Sequence, residues 1–188
     1  DLYRQIGKML GCENAVERVL QEEYERVDAR YQELRADFAK YKFCLIAHGI
    51  AYLPDALRVY QQDYGLPITK ICIIMNPSYQ AETGLDDAMM QRFKDRIELA
   101  KAEYGCDAEI LLEPSEDALR EAAQSCDFVI CNGHPRYAAL DVPVLYNLFD
   151  RSVWSYQGFV DIMEEVWQML QQPQRTGSNL LLSKLAYD

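Results

Sequence analysis

Histidine is scarce in this 188-residue chain: it occurs twice, at His48 and His134. The cysteines form no Cys-x-x-Cys pair and none stands at ligand spacing from a histidine, so no zinc-finger pattern is present. Neither Gly-x-Gly-x-x-Gly nor a phosphate-binding P-loop occurs, which disfavours a dinucleotide or nucleoside-triphosphate site. No nucleophile elbow marks a serine hydrolase. No apolar run approaches the ~18 residues that a membrane helix requires, and no secretory signal pattern appears. Basic side chains are also few, 19 against 30 acidic, for a net charge of −11. Nucleic acid is thereby excluded as an expected partner, because binding it needs a cationic surface that displaces counterions. The acidic residues are dispersed and read as a solvated surface.

What remains is an ordinary globular composition, 49% hydrophobic and 26% charged. The length suffices for one domain with a full core and a helical appendage. Position 1 is not Met, so the chain is expected to be a piece of a longer protein, and an upstream targeting segment stays open. Six cysteines stand at 12, 44, 72, 106, 126 and 131. Cys44, Cys72 and Cys131 fall in apolar strands and are expected to act as small hydrophobes, reduced in the cytoplasm. An iron–sulfur site built wholly within the chain is not expected, since clusters want grouped thiolates.

Residues 1–40 read as a helical lead-in. Leu2, Ile6, Met9 and Leu10 make a short amphipathic helix ending at Gly11. Asn14 with Glu17 has the form of a capping box. The long helix it opens, to about residue 40, carries the stripe Leu20, Tyr24, Val27, Tyr31, Leu34, Phe38 at steps of four and three. From residue 43 strands alternate with helices. Strands are expected at 43–47, 68–75, 108–112, 128–131 and 142–146. Helices are expected around Pro54, from Met89 to a stop at Gly105, from Ser115 to Ser125, and over 158–171. Short apolar strands separated by helices imply a parallel sheet covered on both faces. The expected fold is therefore α/β, a Rossmann-like, doubly wound parallel sheet of about five strands spanning 41–172, preceded by a short and a long helix and followed by a tail, 173–188.

Both histidines fall just past strands. In the sheet order 3-2-1-4-5 the first and fourth strands are neighbours at the switch point, where open α/β sheets place ligands. His48 and His134 would then face one crevice with Asn132, Gly133, Asn147, Asp150 and Arg151, and these are the candidate cofactor- or ligand-binding residues. The plainer alternative is that each histidine satisfies a loop carbonyl. Asp150 and Arg151 likewise could orient a ligand or partner, or could cap a turn and pair with a carboxylate. No residue is singled out as catalytic or metal-ligating.

The stretch 126–159 also resembles the C-terminal domain of the nitrogenase component 1 family. The resemblance rests on Asn132-Gly133-His134, on Val142-Pro143 ahead of a strand, on Phe149-Asp150-Arg151 and on Tyr156-Gln157-Gly158 before a helix. The family includes molybdenum-iron protein subunits, cofactor-assembly scaffolds and chlorophyllide-type reductases. Its cofactor-bearing subunits have a histidine ligand at the position of Asn147, so this chain looks like the partner type of subunit. The resemblance implies an iron–sulfur cluster held by upstream domains of a parent oxidoreductase, with no cofactor ligated inside this segment. It implies partners in other domains of the parent chain, in a homologous subunit and in an electron-donating reductase. A non-catalytic scaffold for a metallocofactor or tetrapyrrole is the first alternative; a free-standing small-ligand module is the second.

Overall fold

The computed structural model describes residues 2–48, 53–75, 86–131, 135–146 and 156–172. A short helix, α1 (Leu2–Leu10), leads into the long helix α2 (Glu13–Phe38). Gly11, at φ 65°, reverses the chain between them, a conformation that costs glycine little. The expected capping box does not form. Cys12 is the N-cap and gives no side-chain cap bond. Glu17 is drawn instead to Arg4 of α1, at 2.6 Å from Nε and 3.2 Å from Nη2. A charged partner on the adjacent helix outcompetes a local backbone N–H.

Strand β1 (Phe43–His48) follows, then α3 (Leu53–Leu57), with Pro54 in its first turn and a π-helical turn (Arg58–Asp63) continuing it. Next come β2 (Ile68–Ile74) and α4 (Asp87–Tyr104), which Asp86 caps at 2.8 Å from the Met89 N–H and Gly105 ends in the left-handed conformation. Strand β3 (Glu109–Leu112) precedes α5 (Glu116–Gln124), capped by Ser115 as expected. Strand β4 (Phe128–Cys131), a 3-10 helix (Pro135–Ala139), β5 (Val144–Tyr146) and α6 (Tyr156–Gln171) complete the order.

All pairings are parallel and the sheet order is β3-β2-β1-β4-β5. This is the doubly wound α/β arrangement expected from the pattern. Alternate strand residues feed two cores. Phe43, Leu45, Ile71, Ile73, Phe128, Ile130 and Leu145 face α2, α3, α4 and α6. Cys44, Ile46, Cys72, Val129, Cys131 and Val144 face α5 and the 3-10 helix. Strand β3 departs from the both-faces-buried expectation, because it is an edge strand whose Glu109 and Leu112 are exposed. Strand β5 starts two residues later than expected: Asp141 takes φ 56° and Pro143 brings no N–H to the ladder.

The long helix is tied to the body rather than standing apart. Leu34 and Phe38 are fully buried in the first core, and α2 runs parallel to α6. Trp167 Nε1 donates to Asp37 at 3.1 Å, and Gln171 Nε2 donates to the Tyr41 hydroxyl at 3.0 Å. Among the described residues no helix is long and apolar enough to cross a membrane.

Candidate functional site

Strands β1 and β4 lie side by side, Ile46 opposite Cys131, and their chains then leave on different courses: β1 toward β2, β4 toward β5. This divergence opens the switch-point crevice at the carboxyl edge. His48 stands there as the last residue of β1, paired in register with Ile74. Its Nε2 lies 2.5 Å from the hydroxyl of Tyr137, and the two rings meet edge to face with centroids 5.6 Å apart.

Tyr137 comes from the 3-10 helix that follows β4, so the contact bridges the two strands flanking the switch point. It is the largest fully buried side chain among the described residues. Burial pushes its phenol up to about 12, so the hydroxyl keeps its proton across the neutral range. The Arg136 guanidinium sits 5.0 Å from the centre of the same ring and reaches Glu116 at 3.5 Å. A protonated phenol against an imidazole nitrogen can hold the ring's orientation and can pass a proton.

Of the expected site residues, His48 is placed at the crevice. Asn132, Gly133, His134, Asn147, Asp150 and Arg151 lie outside the described residues. Tyr137 was not foreseen from sequence. The available signal was its position three residues after His134, in a short segment opening on a proline.

A second feature lies away from the sheet edge. A groove of about 990 Å³ opens between α1, α2 and α6, with Val16, Leu20, Tyr24, Tyr31 and Phe159 on its walls. The expected stripe of α2 is thus divided. Val27, Leu34 and Phe38 belong to the core, while Tyr24 is 45% exposed and meets Tyr156 edge to face at 6.0 Å.

Among the described residues no group of three or more His, Cys, Asp or Glu side chains is placed to hold a metal ion. No protein-family model and no curated protein matches the chain.

Proposed function

We propose that this chain is the C-terminal domain of a nitrogenase component 1-like oxidoreductase subunit. In this reading it supplies one wall of a cofactor or substrate cavity and an interface to neighbouring domains. The observation that supports the reading is the His48–Tyr137 bridge across the switch point, at the sheet edge where β4 and β5 end. His48 is the described residue of that wall, and Asn132, Gly133, His134, Asn147, Asp150 and Arg151, which lie outside the described residues, are its further sequence candidates in this reading. The open groove between α1, α2 and α6 suits docking of another domain of the parent chain or a homologous subunit. An electron-donating reductase is the further partner, and the compartment is the cytoplasm.

The cluster ligands belong to upstream domains, so the segment alone transfers no electrons. The parent protein, purified anaerobically, should contain iron and acid-labile sulfide and give a paramagnetic signal on reduction. Replacing His48 with Ala in that protein should impair turnover while leaving the iron content unchanged. A parent protein free of iron and inert to reductant would overturn the reading and favour a small-ligand module. Iron content without any turnover would favour an assembly scaffold.

A further inference from the structure

Of the eleven large apolar side chains that stand exposed among the described residues, eight gather around α1 and the groove beside it. Five belong to α1, with Met9 at 85% and Leu10 at 72% exposed; the other three are Val19, Tyr24 and Tyr156. Leu2, Ile6, Met9 and Leu10 recur at steps of four, three and one, so they form a ridge along one side of α1. Tyr3 joins this ridge to the groove, which Val19, Tyr24 and Tyr156 also line. At about 200 Å² for a large side chain, the exposed fractions leave roughly 900 Å² open to solvent. The largest patch of an ordinary monomer is about 300–600 Å². A stable interface buries about 800 Å² on each partner.

The face is self-complementary, because a ridge and a groove lie side by side on it. The chain's own α1 covers only the first part of α2: Gly7 sits on Val16, and Arg4 holds Glu17. Beyond that, residues 21–31 of α2 run about 16 Å along the groove, and the nine residues of α1 are about 14 Å long, at 1.5 Å per residue. A second α1 entering from the opposite direction therefore matches the stretch that the first leaves open. A two-fold axis across α2 near Gln21 and Glu22 achieves this for both copies at once. The signs of charge agree with the exchange. Helix α1 carries Arg4 and Lys8 and no acid, whereas Glu23, Asp28 and Asp63 line the groove. That local attraction works against the repulsion between two chains of net charge −11.

We propose that this face joins two copies of the chain in a two-fold dimer, with α1 of each copy lying in the groove of the other. The proposal rests on the reading of the groove as a docking face and names its occupant. Ridge and groove belong to the same surface, so one contact is made twice, and the two contacts share the apolar area of both copies.

The experiment is sedimentation equilibrium of the 188-residue chain and of two variants. The unaltered chain should show twice the 21.7 kDa of one copy. Met9→Glu breaks the ridge and Val19→Glu breaks the groove; the two sites are 85% and 52% exposed, so circular dichroism should stay unchanged in both. Each variant alone should be monomeric where the unaltered chain is dimeric. Mixed together they should regain a dimer, because the intact ridge of Val19→Glu fits the intact groove of Met9→Glu. A mixture no more associated than either variant alone, or a dimer that both variants keep, would overturn the ridge-in-groove contact. An unaltered chain that stays monomeric at millimolar concentration would overturn the dimer and leave the face to another domain of the parent protein or to residues 173–188. Iron and acid-labile sulfide in the parent protein decide the family reading separately, so either result here leaves that test standing.

Discussion

Arg30 of α2 and Glu164 of α6 meet through two parallel hydrogen bonds, Nε to Oε1 at 2.5 Å and Nη2 to Oε2 at 2.9 Å. The fork fixes how the two helices are staggered, and it sits beside the Trp167 ring, whose centre is 5.3 Å from the guanidinium. Arg30 hydrogen bonding holds the Glu164 carboxyl below its ordinary 4.5.

A depressed carboxylate contributes stability that is present above 4.5 and is lost as pH falls through its folded-state value. Both side chains are about one third exposed, at 36% and 30%, so solvent screening limits the gain. Glu164→Gln should therefore cost about 1 kcal/mol at neutral pH. The difference from the parent should vanish well below pH 4.5. Urea melts at the two conditions check it, and an undiminished difference in acid would assign the effect to packing instead.

The division of the α2 stripe gives a second expectation. Leu34 is fully buried against the sheet, so Leu34→Glu puts an unpaired charge in the core and should abolish cooperative folding. Tyr24→Ala removes a side chain from the groove wall, where one edge-to-face contact is at stake. It should cost no more than about 1 kcal/mol and leave the circular dichroism unchanged. If the groove docks a partner domain as proposed, that binding should weaken nonetheless. Loss of fold in both variants would place the whole stripe in the internal core.

The uneven legibility of α2 and of the sheet has one physical cause. Strands such as Phe128–Cys131 carry their own signal, because apolar residues on both faces and flanking turns suffice to mark them. The even spacing of Leu20 to Phe38 marks a helix face, but spacing alone cannot say that its first half opens to a groove. That depends on where α6 lies. The failed cap at Asn14 has the same origin, since Glu17 answers to Arg4 across a helix pair. The His48–Tyr137 contact requires the sheet order before any distance is defined. Single residues that act locally, Ser115, Gly105 and Pro54, were readable because their effect needs no partner far along the chain.

Tyr137 yields an alkaline prediction. Its phenol is raised from 10.0 to about 12 chiefly by burial. A group with a raised folded-state value stabilises the fold fully below its unfolded value and loses that contribution as pH rises through the folded one. The parent should therefore weaken between pH 10 and about 12, and Tyr137→Phe should weaken less steeply there. At neutral pH the same variant should be less stable by about 1 kcal/mol, the usual net worth of a buried hydrogen bond. Nitrogen-15 spectra of His48 should show a changed tautomer balance in Tyr137→Phe, a readout that loss of packing alone would not move.

Gly7 is the one buried residue of α1, and two opposing effects meet there. A methyl group on it would lie 2.8 Å from Cγ2 and 3.2 Å from Cβ of Val16 on α2. Val16 is short and branched, with little freedom to swing aside. In an isolated helix the change to alanine is worth about 1 kcal/mol in favour of α1. The clash acts on the α1–α2 contact instead, and overpacking of this kind costs roughly 1–3 kcal/mol. The contact should lose, because α1 exposes Leu2, Met9 and Leu10 and has little other apolar burial to hold it. Gly7→Ala should thus free α1 to limited proteolysis near Gly11 while the α/β body keeps its melting temperature. The groove would then lack one wall, and the proposed docking of a partner domain should fall, as expected also for Tyr24→Ala. Unchanged protease resistance would mean that Val16 yields and that helix propensity decides the outcome.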